Sequence, residues 1–165
     1  AEHLNIVIHP AASQGHRQWP VNNFVKLFDL LSEKFGYKTV RMILVGIKSE
    51  EPLHKEIIDK SSAQIVSLIE RDLLFTMTVI KNANLFIGSD SGPKHIADGF
   101  STPIVELLGP MRPEAVQAIG KSSVTIYKDV GCNPCAQQGC KFGGKCVQAI
   151  EVNDVFEAAC SLLED

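Results

Sequence analysis

Residues 88–95 read Gly-Ser-Asp-Ser-Gly-Pro-Lys-His, a dense set of polar groups around two glycines. Gly92 lets the backbone turn and lets a ligand come close, because it carries no side chain. Pro93 suits the first turn of a helix, where its missing N–H is no loss. A helix starting there aims its free N–H groups and the positive end of its dipole back at the loop, which favours an anion such as phosphate. Ser91 adds a hydroxyl donor, and His95, about one turn further on, can face the same ligand. Asp90 would repel phosphate, so its better use is to accept hydrogen bonds from sugar hydroxyls. The competing reading is an ordinary capped helix with His95 on a solvated or packed face. The convergence of polar groups favours the ligand.

Two further loops carry candidate groups. Residues 11–20 (AASQGHRQWP) hold small residues, the Ser13 hydroxyl and one fixed cation, Arg17. The guanidinium is a planar fork suited to phosphate oxygens; a solvated charge is the even alternative. Trp19 reads as a core plug against the helix that follows. Residues 46–51 (GIKSEE) place Glu50 and Glu51 just after a strand. A carboxylate there often holds ribose hydroxyls in nucleotide folds, although a solvent-facing helix start is the commoner use. No G-x-G-x-x-G follows the first strand, so a nicotinamide or flavin site lacks its main support.

Four of the five cysteines cluster as Cys132-x2-Cys135-x4-Cys140-x5-Cys146. Four thiolates at such spacing could hold a structural Zn²⁺ tetrahedrally. Such a staple would order a Gly-rich segment that has no hydrophobic periodicity. Free thiols are the equal alternative, ahead of disulfides or an iron–sulfur site, since no secretory signal is visible. Cys160 stands apart and reads as a small buried residue. Residues 121–146 hold four Lys against one Asp. That excess could face an anionic acceptor or a membrane surface, solvated lysines being the commoner explanation.

The elements that must position these groups alternate. Apolar runs at residues 4–8, 39–45, 65–68, 84–87 and 103–108, with a sixth at 124–126, read as strands. Between them Phe24, Leu27, Phe28 and Leu31 recur at helical spacing, with Asn22 or Asn23 as cap and Gly36 beyond the end. Residues 52–60 form a more polar helix, Asp72 opens another, and Val155, Ala158, Ala159 and Leu162 mark a closing helix capped by Asn153. Strand followed by helix, repeated, means a parallel sheet covered on both faces. The expected fold is α/β, a Rossmann-like doubly wound sheet of about six strands, which binds ligands at the carboxyl ends of its strands. All the candidate loops lie just after strands.

The 165 residues, 45% hydrophobic, suit one domain over 1–165 with a Cys-rich excursion at about 130–148. A chain this long buries roughly 70% of its unfolded surface without metal or disulfide help. A net charge of −3 argues against a nucleic-acid partner. No apolar run approaches the ~20 residues of a membrane span. The sequence starts without Met and enters almost at once on a strand, as expected of a fragment of a longer protein.

Residues 8–11 (IHPA), 17–20 (RQWP), 88–97 (GSDSGPKHIA), 103–105 (PIV) and the Gly109-Pro110 pair come in the order of one family. Over nearly its whole length the chain resembles the C-terminal half of the ADP-heptose:lipopolysaccharide heptosyltransferases, glycosyltransferase family 9. The resemblance implies one half of a two-lobed (GT-B) enzyme. This half would bind the nucleotide-sugar donor. The N-terminal acceptor domain, which would supply an acidic base and meet the lipopolysaccharide core, is expected outside this sequence. By resemblance Arg17 takes the place of a basic residue, usually Lys, on the donor diphosphate. Ser13 is a hydroxyl in the same loop, and Ser91, Gly92 and His95 form the diphosphate turn. Asp90 lies near the sugar, and Glu50 or Glu51 holds the ribose. Inverting glycosyl transfer is implied, with no cofactor required for catalysis and no carboxylate motif for Mg²⁺. Cytoplasmic work at the inner face of the inner membrane, with peripheral membrane association of the intact enzyme, is implied as well. The alternative is a stand-alone nucleotide or nucleotide-sugar binding module without catalysis.

Overall fold

Six strands form where the apolar runs predict them: β1 (Leu4–His9), β2 (Val40–Gly46), β3 (Ile65–Ile69), β4 (Leu85–Ser89), β5 (Ile104–Leu108) and β6 (Ser123–Tyr127). They are seen in a computed structural model that describes residues 3–135 and 139–164. The sheet order is β3-β2-β1-β4-β5-β6, and every ladder is parallel. After β1 the chain winds outward to β2 and β3, then returns to the other side of β1 as β4. That reversal opens a crevice at the carboxyl ends of β1 and β4, the place where doubly wound sheets take their ligands.

The helices are α1 (Val21–Phe35), α2 (Glu51–Lys60), α3 (Leu73–Lys81), α4 (Gly92–Gly99), α5 (Pro113–Val116), α6 (Lys145–Gln148) and α7 (Val152–Glu164). Alternate strand residues feed two cores. Ile6, Ile8, Met42, Leu44, Leu85, Ile87, Val105 and Leu107 pack on one face with α1 and α7. Val7, Phe86 and Ile104 pack on the other with Ile80 of α3 and Ala97 of α4. This period of two, apolar in both directions, is what a sheet buried on both faces requires.

Two expected caps are displaced. Helix α1 begins at Val21 after Pro20, with no side-chain cap bond, so Asn22 and Asn23 lie in its first turn. The fixed φ of Pro20 already turns the chain into the helix. Asn153 is inside α7 and its amide donates to Glu157 Oε1 at 2.7 Å. Asp72 does cap α3, accepting the Phe75 N–H at 2.9 Å. Gly36 ends α1 at φ +96°, donating its N–H to Ser32 O, a backbone angle glycine adopts readily.

Candidate functional site

The loop after β1 descends from Pro10 to a 3₁₀ turn, Gly15–Arg17. Trp19 then nails it down. Its ring is buried edge-to-face on Phe24 at 4.9 Å, and its Nε1 donates to Ile150 O at 3.0 Å. The plug role holds, and its effect is to fix Arg17 two residues earlier. Ser13 and Arg17 line a narrow cleft together with Ser89 and Asp90 at the end of β4 and with Gly109 and Pro110 after β5. Several polar atoms in this area are buried without a hydrogen-bond partner among the described residues: the donors Arg17 Nε and Ser91 Oγ, and the acceptors Gln14 Oε1 and Asp90 Oδ1. Unsatisfied buried donors are uncommon in folded proteins and suit a ligand that completes them.

Ser91 precedes α4 in extended backbone, and Pro93 sits in its first turn. Helix α4 therefore aims its N-terminus into the crevice, as its sequence predicts. Gly92 is exposed there, and a Cβ on it would meet nothing within 4 Å. Close approach by a ligand, rather than crowding by the protein, is thus what glycine permits here. His95 is largely exposed, with Nε2 3.2 Å from Asp90 Oδ1. Lys94, in the same turn, is fully buried. Its Nζ donates to Val116 O at 2.6 Å and lies 3.3 Å from Glu106 Oε1 and 3.5 Å from Asp90 Oδ1.

A second, more apolar cavity of about 320 Å³ opens on the other side of the same loop. Gly92, Pro93 and Ile96 of α4 form one wall; Val45, Gly46 and Leu73 stand opposite. Glu50 does not join the Arg17 cleft. It lies beside this cavity, with Oε2 accepting the Ile47 N–H at 3.0 Å and lying 3.5 Å from His9 Nε2. Burial alone would raise its carboxyl, but hydrogen bonds from His9 and Ile47 N–H, with the charges of His9 and His54, hold it below the usual range. A Cβ on Gly46 would strike Glu50 Oε2, so a larger residue there would push the carboxylate from this position. Glu51 points elsewhere, pairing with Lys48 at 2.6 Å on the surface.

For the clustered cysteines the sequence leaves a Zn²⁺ site and free thiols as equal readings. Among the described residues no three His, Cys, Asp or Glu side chains are grouped so as to hold a metal ion; residues 136–138 lie outside them. Cys132, Cys135 and Cys140 border one open cavity, while Cys146 is buried beside Gly109. All five thiols are free. Cys140 Sγ accepts the Gly144 N–H at 3.2 Å, and backbone N–H groups, that of Gly144 first, pull its pKa down. Burial pushes Cys146 and Cys160 up. Polar anchors also tie the excursion to the cleft. Cys135 N–H donates to Pro110 O at 2.7 Å, and Asn133 Nδ2 donates to Gly109 O at 3.3 Å.

Two features escaped the sequence. The walls of the apolar cavity come from loops far apart in the chain. Glu106, by contrast, carries a signal: one carboxylate inside the otherwise apolar β5 strand.

No helix among the described residues is long and apolar enough to cross a membrane. A model of glycosyltransferase family 9 (heptosyltransferase) matches residues 1–146. The lipooligosaccharide heptosyltransferase 2 of Campylobacter jejuni is 25% identical over 165 residues, covering 96% of this chain and 50% of its own length. The fold superposes on the Escherichia coli ADP-heptose LPS heptosyltransferase II with a TM-score of 0.80 at 20% identity, over 99% of this chain and 47% of that one. On the E. coli heptosyltransferase WaaC with ADP it does so with a TM-score of 0.76 at 19% identity, over 97% and 44%. The chain spans about half the length of the relatives it matches. With a family match over most of its length and the family's sheet, the chain belongs to glycosyltransferase family 9, the heptosyltransferases.

Proposed function

We propose that this chain is the donor-binding half of an inverting heptosyltransferase of lipopolysaccharide core synthesis. The observation that carries the reading is the double duty of one loop. Asp90 stands in the polar cleft with Arg17 and Ser13, while Gly92 and Pro93 wall the apolar cavity next to it. A ligand that is apolar and planar at one end, doubly anionic in the middle and hydroxyl-rich at the other matches that sequence of surfaces. A nucleotide sugar is such a ligand. Its base takes the apolar cavity, its ribose meets Glu50, and its diphosphate lies across the start of α4 within reach of Arg17, Ser13 and Ser91. Its sugar extends to Asp90, with His95 at the rim.

In this reading transfer is one direct displacement, which inverts the anomeric carbon. An acceptor hydroxyl, deprotonated by a base from the other half of the enzyme, attacks the anomeric carbon. The bond from that carbon to the diphosphate oxygen breaks, and its electron pair leaves with the nucleoside diphosphate. Negative charge grows where the Arg17 guanidinium and the N–H groups opening α4 are already fixed. Such preorganised donors stabilise a leaving group without waiting for solvent to rearrange. The reading requires no catalytic cofactor. The lipopolysaccharide acceptor would meet the other half, and the work would be done in the bacterial cytoplasm at the inner face of the inner membrane.

Calorimetric titration of the chain with ADP, UDP and GDP tests the reading. Weak binding with ADP preferred is expected, because half of the interdomain cleft is supplied elsewhere. Folded protein that gives no heat with any of the three overturns it.

A further inference from the structure

We propose that Lys94 is a positioning residue for Asp90: its buried ammonium fixes one oxygen of that carboxylate so that the other faces the transferred sugar. The inference rests on the donor-site reading above and goes further, assigning the means by which an acid is held beside a diphosphate.

Lys94 is in the wrong place for an ordinary lysine. It lies in the first turn of α4, where the helix dipole disfavours a cation. It is also fully buried, a state lysine almost never reaches unless paired. Glu106 has the complementary fault, a carboxylate wholly buried within a hydrophobic strand. Neither charge belongs there alone; together they complete one another. Glu106 Oε2 accepts the Ala118 N–H at 3.0 Å and the Thr125 hydroxyl at 2.9 Å, so its other oxygen is turned to Lys94. The Val116 carbonyl takes a further ammonium proton. The ammonium is thus anchored from the side away from the cleft.

An anchor for Glu106 alone would not need to reach Asp90, yet Nζ is 3.5 Å from Asp90 Oδ1 and 3.3 Å from Glu106 Oε1. Asp90 Oδ1 is buried with no hydrogen bond among the described residues, so its compensation is ionic, from Lys94 Nζ and from His95 Nε2 at 3.2 Å. The exposed part of the carboxylate is therefore the Oδ2 side, which borders the cleft. A bare aspartate would repel the diphosphate bound next to it. With the ammonium behind it, the acid and the diphosphate can occupy one site, and Oδ2 remains an acceptor for sugar hydroxyls.

The test separates positioning from folding. Lys94→Met alone leaves Glu106 uncompensated and can unfold the chain. The double variant Lys94→Met, Glu106→Gln removes both buried charges, leaves the net charge unchanged and keeps an acceptor for Ala118 N–H and Thr125. Calorimetry with ADP and with ADP-heptose gives the ratio of the two affinities. The wild-type chain is expected to prefer the nucleotide sugar. The double variant is expected to bind ADP much as before and to lose about tenfold or more of that preference, the scale of one hydrogen bond to a charged group. Glu106→Gln alone, which leaves Lys94 on Asp90, is expected to keep it. A double variant with the wild-type ratio, a Glu106→Gln protein that loses as much, or a wild-type ratio near one each overturns the proposal while the donor-site reading stands. Wild-type protein that binds neither ligand removes both.

Discussion

Gly144 packs directly on the backbone of His16: a Cβ at residue 144 would collide with the His16 carbonyl. The Cys-rich excursion and the turn that presents Arg17 are therefore one packed unit, although nearly the whole fold separates them in the chain. Gly144 also adopts φ +82°, an angle that costs a residue with a side chain roughly 1–2 kcal/mol. Gly144→Ala is expected to lower stability by at least about that amount and to weaken ADP binding by displacing Arg17. Urea denaturation and calorimetry read the two effects. Unchanged ADP affinity in the folded variant would detach the excursion from the site.

Arg17 offers a buried guanidinium nitrogen with no protein partner among the described residues. In an intact enzyme carrying this half, Arg17→Ala is expected to reduce turnover by roughly 10²–10³-fold, the usual loss for one preorganised contact to developing charge. Arg17→Lys should recover part of it, keeping the charge without the fork. Steady-state kinetics with donor and acceptor decide; near-normal turnover in the alanine variant counts against the diphosphate role.

The Lys94–Glu106 pair also predicts a pattern of stability. Breaking a buried pair by removing one partner typically costs about 3–5 kcal/mol, because the survivor is left uncompensated. Lys94→Met should show a loss of that size in urea, and adding Glu106→Gln should restore most of it. Additive losses would show that the two charges do not depend on each other.

His54 is buried, with Nδ1 2.8 Å from Ser67 Oγ. Burial pushes its pKa below the ordinary 6.5, with the Glu50 carboxylate opposing part of the shift. The unfolded chain therefore takes up this proton at a higher pH than the folded one. His54 contributes its full stability above about pH 6.5 and loses it as the pH falls from there toward the folded pKa, by at most about 1.4 kcal/mol per pH unit. The depressed Glu50 carboxyl loses its contribution only at more acidic pH. Urea midpoints at pH 7.5 and 5.5 should fall in the wild-type chain and fall less in His54→Asn. Equal declines in both proteins would reject the assignment.

Much of this molecule is written locally. The strand and helix pattern, the dipole-bearing start of α4 and the loops after β1 and β4 all follow from short-range chemistry: apolar periodicity, a proline in a first turn, glycines where a ligand approaches. Their convergence was legible too, because a parallel sheet gathers every loop after a strand at one edge. Tertiary packing decided the rest. It sent Lys94 inward, since the partner that makes its burial tolerable sits on β5, and it set Glu50 beside the apolar cavity while Arg17 lines the neighbouring polar cleft. It also tied the cysteine segment to the Arg17 turn through the close packing of Gly144 on the His16 backbone. Charge burial and close backbone packing depend on groups distant in the chain, so residue types and spacing disclose at most the carboxylate of Glu106 inside an apolar strand and not its pairing with Lys94.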